Sequence, residues 1–394
     1  MSFLPSIDQL REQTVRTVRR YPLELLTALS GCIVAHHYTF HYADDDNLLH
    51  VRFILTAVLG LSSFLAATIW GQYRKASLIK RVGAYAVVTA ILVAFFLSIQ
   101  IPPVEKDFFR FGLLLIAAHL LVASAGFIGR GSTHGFWQFN RHLLLRIITG
   151  GIFSGALFAG LAGALAAADA LFKLDVPEVN FFRLFFWIAG MFNTLFFLAG
   201  LPQNPEALES DEEYPKVRKI FTQFVLLPLV VVYLLILLAY EGKIVARWEL
   251  PIGWVSNLVI AYGVVGILSL LLVYPIRTRE GNSWIGLFSR AFFFLLLPLI
   301  ALMFVAIITR LNDYGFTEPR VFVLALALWL SIIALYFLLR PNGDIRLIPV
   351  SLAAMAIMLT AGPVSAFNIS LRSQQNRLTR LLSGQGLIRD CRVV

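Results

Sequence analysis

Charge is what this sequence has least of. Only 14% of its residues are Asp, Glu, Lys or Arg, against about 25% in soluble domains. With 58% hydrophobic residues and a mean hydropathy of +0.77 over 394 residues, that scarcity excludes an ordinary soluble globular chain. Cysteine is nearly missing too. Cys32 falls in an apolar run and Cys391 in the tail, so no disulfide framework is implied. There is no P-loop, no GxSxG elbow, no HExxH, no CxxC pair and no dinucleotide fingerprint. These gaps weaken every soluble-style enzyme reading, and no cofactor is implied. No basic run interleaved with aromatics occurs in a soluble segment. The net charge of +10 therefore points to basic loops at a membrane surface rather than to nucleic acid. Residues 1–20 hold Arg11, Arg16, Arg19 and Arg20 without an apolar core, which does not read as a secretory signal. With Val15 and Val18 among them, residues 1–21 read as an amphipathic segment on the cytoplasmic face.

What the sequence does have is apolar length. A membrane span needs about 20 mostly apolar residues. Eleven stretches qualify: 22–41, 50–70, 82–101, 109–129, 143–171, 181–201, 220–240, 252–275, 290–309, 321–340 and 347–369. The first is the weakest, because it holds Glu24, His36 and His37. No loop is long enough for a soluble domain. The expected fold is an all-α polytopic membrane bundle over residues 22–369, followed by a polar, basic tail at 370–394. One set of alternate loops is richly basic, with Arg74, Lys75, Lys80, Arg81, Lys216, Arg218, Lys219, Arg277, Arg279 and Arg340 among its residues. The other set is sparse and contains the acidic run HYADDDN. This bias puts the N-terminus in the cytoplasm. The basic tail, with Arg372, Arg377 and Arg380, opposes that arrangement for the last segment.

Candidate functional groups are few. Five of the spans, 82–101, 220–240, 290–309, 321–340 and 347–369, hold no acid or histidine in their central parts, which argues against a buried-carboxylate ion relay. His37 and His41 are four residues apart, before Asp44 and Asp45, and could share a helix face with ligands suited to zinc. The same run reads equally as an interfacial histidine patch beside a solvated acidic loop, and no metal site is assigned. Thr317, Glu318 and Pro319 suit the start of a helix, with Thr317 as its cap. A polar outer-face site of His37, His41, Asp44, Asp45, Glu318 and Arg320 is the alternative to those local roles. His119 and Asn193 read as interhelical hydrogen-bonding groups. FVLLPLVVVY at 224–233 resembles FLLLPLIALM at 294–303, either as a weak repeat or by composition alone. Pro228 and Pro298 within those stretches are packing kinks or hinges.

One helix stands apart. In GGIFSGALFAGLAGALAAADA at 150–170, Gly151, Gly155, Ala159, Gly163 and Ala167 recur every fourth residue as a smooth stripe. Such stripes let backbones approach closely in lipid, so this face is expected inside the bundle. The bulky stripe of Phe153, Leu157, Leu161 and Leu165 is then expected outside. Arg146 and Asp169 are spaced to sit at opposite interfaces.

Four stretches together carry a family resemblance: ALAAADALFKLDVP at 164–177, FFRLFFWIAGMFNTLFFLAGLP at 181–202, NDYGFTEPRVFVLALALWL at 312–330 and GPVSAFNISLRSQQNRLTRLL at 362–382. The chain thereby resembles the bacterial membrane family called domain of unknown function 4153. The resemblance implies a multi-pass inner-membrane protein and carries no activity with it. Similar family members continue into a non-membrane region. SGQGLIRDCRVV accordingly reads as the start of a further region, cut short at Val394. Three functions stay open: a non-enzymatic envelope anchor or assembly module, a transporter or flippase for an apolar or amphipathic substrate, and a membrane enzyme acting on lipid-linked substrates. The partners implied are membrane lipids and other envelope proteins.

Overall fold

The computed structural model describes residues 6–39, 48–129, 131–204, 208–209, 222–247, 254–277, 280–385, 388–389 and 392–393. The architecture is all-α. The chain divides into two compact units, Met1–Asp211 and Glu212–Val394.

In unit 1, α1 (Ile7–Arg20) begins with a capping box. Ser6 Oγ accepts from Gln9 N and Gln9 Oε1 accepts from Ser6 N, which satisfies two of the donors a helix start leaves free. Pro22, which has no N–H to lose, opens α2 (Pro22–Tyr38). Then follow α3 (Leu48–Tyr73), α4 (Leu78–Ser98), α5 (Glu105–Ser124) and α6 (Thr133–Phe172). Helix α3 is the hub. Leu59 and Phe64 of α3 pack with Leu92 and Phe95 of α4 and Ala118 of α5. Its crossing with α2 is a close one, because a Cβ at Gly31 would lie 3.0 Å from Ala57 Cβ. At the end of the hub, Tyr73 stands edge-on to Phe127 and Phe139. Asp169 closes the far end of α6 by accepting from Val176 N at 2.9 Å.

Helix α7 (Val179–Phe186) runs through a π turn, Trp187–Phe192, into α8 (Asn193–Ala199). At the entry to that turn, Cys32 Sγ of α2 donates to Phe186 O at 3.3 Å. At its exit, Asn193 Oδ1 accepts from Ser154 Oγ of α6 at 3.2 Å. Asn193 thus bonds between helices, as its type and depth suggested.

In unit 2, a π turn at Thr222–Leu226 leads into α9 (Leu227–Arg247). Next come α10 (Trp254–Val273), with a 3₁₀ turn at Tyr274–Ile276, and then α11 (Ser283–Tyr314), α12 (Glu318–Leu339), α13 (Leu347–Thr360) and α14 (Ala366–Gly384). A two-residue antiparallel ladder pairs Ile388 with Val393. The core lies along α11 and α12, where Leu296, Leu299, Met303, Ala327, Leu330 and Ile333 are fully buried. Helix α14 is seated on the α11–α12 turn: Gln374 Nε2 donates to Phe316 O at 2.7 Å, and Phe316 N donates to Ser373 Oγ at 3.0 Å. The basic tail helix therefore lies at the same end of unit 2 as Arg320.

Two differences from the sequence reading stand out. Among the described residues nine helices are long and apolar enough to cross a membrane, against eleven apolar stretches. Helix α2 has 17 residues and ends at Tyr38. Helix α13 has 14 and ends at Thr360, where Ala361 turns extended, with φ −146° and ψ 164°. The smooth stripe of α6 is also not where α6 packs. Gly151, Gly155, Ala159, Gly163 and Ala167 are all exposed, and a Cβ at any of the three glycines meets nothing within 4 Å. The packed face is one residue round the helix. There Gly150 and Ser154 are buried, and Phe153 and Phe158 stand edge-on to Phe196 and Phe185. Edge-on aromatic contacts and the Asn193 bond mark the partner face, whereas a smooth stripe only permits an approach.

A Cβ at Gly150 would come 2.7 Å from Asn193 Oδ1. Gly150→Leu should therefore destabilise unit 1 by about 1–3 kcal/mol through overpacking. Gly155→Leu and Gly163→Leu should shift the melting temperature of the purified protein in lipid nanodiscs by little. Equal damage from all three would refute this placement of α6.

Candidate functional site

A concavity in unit 2 lies at the end opposite α14. It encloses about 390 Å³, within the range of small-ligand sites. Three connections converge to make it. The 3₁₀ turn after α10 brings Tyr274 and Arg277, the first turns of α11 bring Ser283, Ser289 and Arg290, and the α12–α13 loop brings Pro341 and Asn342. The floor is apolar: Ile267 and Leu270 from α10, Phe293 from α11, Phe337 from α12 and Ile348 from α13. Phe293 and Phe337 stack at 5.2 Å between centroids, which fixes the floor.

The sequence makes this shape for local reasons. After α10 comes Pro275, whose fixed φ and missing N–H tighten the helix end into a 3₁₀ turn. In the α12–α13 loop, Gly343 lies under the Tyr336 ring, and a Cβ there would be 2.6 Å from Tyr336 Cε1. Asp344 N donates to Tyr336 Oη at 2.9 Å. The Asp344 carboxylate is taken by Arg346, whose Nε lies 2.9 and 2.8 Å from its two oxygens.

The lining itself carries two cations and no acid. The Arg277 guanidinium sits 4.0 Å over the Tyr274 ring. It donates to Tyr274 Oη at 3.2 Å and to Pro341 O at 3.4 Å. Among the described residues it is thus held by neutral groups, with no carboxylate bonded to it. Arg290 is exposed and makes no hydrogen bond or ion pair among the described residues. A basic rim above an aromatic and aliphatic floor suits a ligand with an anionic head and an apolar tail.

The groups singled out from the sequence are distributed otherwise. His37 is exposed in unit 1, stacked on His50 at 5.3 Å, with Nδ1 3.2 Å from His50 Nε2. His41, Asp44 and Asp45 lie outside the described residues. In unit 2, Glu318 and Arg320 lie in the first turn of α12. Thr317 occupies the cap position, but its side chain makes no capping bond. Arg320 instead donates to Gly315 O at 2.8 Å and covers the Tyr314 ring. His119 bonds to Leu115 O of its own helix at 2.8 Å and also meets Ser62 Oγ of α3, 3.4 Å from its Nε2. Pro228 lies just beyond the π turn at the start of α9. Pro298 lies inside the unbroken α11.

Arg277 and Arg290 counted in the sequence only as loop charges that set orientation. The signal was the clustering of YPIRTREGN and RPNGD at loops that alternate helices return to the same end.

Nine long apolar helices among the described residues and an all-α architecture define a multi-pass helical membrane protein. The chain matches the family described as "Domain of unknown function (DUF4153)" over residues 27–392, and it belongs to that family. It is similar to "Uncharacterized protein PM1469" of Pasteurella multocida (strain Pm70), at 29% identity over 212 residues. The match takes in 53% of this chain and 34% of that relative, so it spans about a third of the relative's length. No solved structure matches the chain.

Tyr336→Phe removes the acceptor of Asp344 N and should destabilise the protein by about 1 kcal/mol. A melting temperature lowered by a few degrees in a thermal scan would show it. Arg340→Gln, at an exposed neighbour, should leave the same scan unchanged.

Proposed function

We propose that this protein is a non-catalytic module of the bacterial inner membrane that holds an anionic amphiphile, and that it serves as an anchor or assembly partner in the envelope. The observation that carries the reading is the unit 2 pocket, with Arg277 and Arg290 on its rim and Phe293 and Phe337 in its floor. In this reading a phosphate-bearing lipid headgroup meets the two guanidinium groups, and the first part of its chain lies on the aromatic floor. The N-terminus and the pocket both face the cytoplasm, following the basic bias of the loops. Other envelope proteins are the assembly partners, and lipids are the ligands.

A second reading has one observation in its favour. Pro298, itself exposed, lacks the N–H that would bond to Phe294 O within α11, and α11 also supplies Phe293 to the pocket. A helix that bends at Pro298 would change the pocket floor, as movement of an amphiphile across the bilayer requires.

Native mass spectrometry of the protein released from phosphatidylglycerol–phosphatidylcholine nanodiscs tests the proposal. Wild type should retain phosphatidylglycerol in preference to phosphatidylcholine. Arg277→Gln with Arg290→Gln should reduce that preference at least tenfold, about 1.4 kcal/mol. Inorganic phosphate in excess should compete only weakly, because it lacks the chain. Equal retention of both lipids by wild type, or an undiminished preference in the double variant, would exclude this site.

A further inference from the structure

Two acids are enclosed in unit 1, and only one is explained. Asp107 Oδ2 accepts from Gln100 N at 3.1 Å and from Val104 N at 3.2 Å, so it closes the α4–α5 connection. Glu24, in the first turn of α2, is 1% exposed. Its Oε1 accepts from the Thr68 hydroxyl of α3. Its Oε2 is buried and has no hydrogen-bond partner.

No cation pairs with Glu24 among the described residues. Arg20 is turned to Gln72 Oε1, at 2.9 and 2.7 Å, and to Pro202 O at 3.1 Å. Arg81 of α4 lies against Gly71 of α3, and its own Nε is buried without a partner. The remaining titratable groups around this end of α2 are phenols. Tyr21, at the end of α1, is pushed up to about 12 by its burial and stays neutral. Tyr73 of α3 donates to Pro202 O at 3.2 Å. Tyr85 of α4 lies 3.0 Å from Thr68 Oγ1. The π turn and α8, also packed against α2, contain no ionisable residue.

The hydrogens can be counted. Thr68 has one hydroxyl hydrogen and gives it to Glu24, so in its contact with Tyr85 the phenol is the donor. The donor chain runs from half-buried Tyr85 through Thr68 and ends on the carboxyl. A carboxylate at that end would be a charge out of water with no cation beside it among the described residues, and neutral donors do not offset that cost. The neutral acid is the form this environment favours.

We propose that Glu24 is a proton-binding site of unit 1, its carboxyl holding a proton at neutral pH, with Thr68 and Tyr85 as the hydroxyl chain that supplies it. In uptake, Tyr85 takes a proton from water as it passes its own to Thr68, and Thr68 passes its own to Glu24 Oε1. Each hydroxyl is neutral again and the carboxylate has become the acid; the hydrogens along the chain then point from Glu24 towards Tyr85 until the carboxyl and the hydroxyls turn back. The site is independent of the lipid pocket, so its failure leaves the reading of unit 2 untouched.

Infrared spectroscopy of the full chain in lipid at pH 7 tests this. The wild-type minus Glu24→Gln difference should contain the C=O stretch of a carboxylic acid, lost in the variant. Glu24→Asp should shift that band rather than abolish it. Tyr85→Phe should slow its hydrogen–deuterium shift about tenfold or more. A difference containing only carboxylate stretches would overturn the proposal. So would failure of Glu24→Gln to fold, since the amide is the neutral counterpart of the acid. An unchanged exchange rate in Tyr85→Phe would remove the hydroxyl chain from it.

Discussion

The structure depends on one constraint: backbone polar groups in lipid must find their partners within the protein. Long α-helices meet it by themselves, and most of this chain is long α-helix. Wherever the helical ladder is altered or ends, a side chain or a neighbouring turn makes up the difference. Cys32 donates to Phe186 O where α7 enters its π turn. Gln374 and Ser373 satisfy the α11–α12 turn. Arg146 Nε donates to Gly200 O just past the end of α8. The scarce polar residues are therefore concentrated at helix ends and irregular turns. Groups that lie away from such places, or exceed what the backbone asks of them, are the ones that call for another explanation.

That distinction separates the two sites from the rest of the polar inventory. Asp107, Asp169 and Arg320 each answer a backbone group. Glu24 closes no turn: it meets the Thr68 hydroxyl and its own backbone, and keeps one oxygen bare among the described residues. Arg290 likewise makes no bond among the described residues, and Arg277 is held by an aromatic face and neutral oxygens. The two sites are also chemically unlike. One is a buried acid at the foot of α2, and the other is a basic rim over an apolar floor.

Much of the fold was legible in the sequence, because apolar length reports spanning helices directly. Boundaries were less legible at α2 and α13, where the stretch read from the sequence runs past the helix ends at Tyr38 and Thr360. The π turn in WIAGMF leaves no mark in hydropathy, since it changes register and not composition. The stripe on α6 was visible, yet its packing was not. Small residues show where a neighbour is allowed, and the neighbour's own aromatics and Asn193 decide where it goes. The pocket was hidden for a different reason: Arg277, Arg290 and Asn342 come from three connections, and only the helix traverses bring them together. Glu24 was visible as a blemish in the first apolar run, but its lack of a cation is a property of α1, α3 and α4 rather than of its own segment.

The length of α6 has a mechanical consequence. Its 40 residues form a rod about 60 Å long, roughly twice the thickness of a hydrocarbon core. Its first turns are wedged in place by Phe139, which packs on Tyr73 and Phe127. Further along, aromatic edges and one Asn–Ser bond hold it more lightly. Such a rod is a lever with its fulcrum near one end. A tilt of about 10° would carry the far arm sideways by several ångströms, on the order of 5 Å over a 30 Å arm. Small rearrangements at the aromatic wedge would thus be magnified at the Asp169 end.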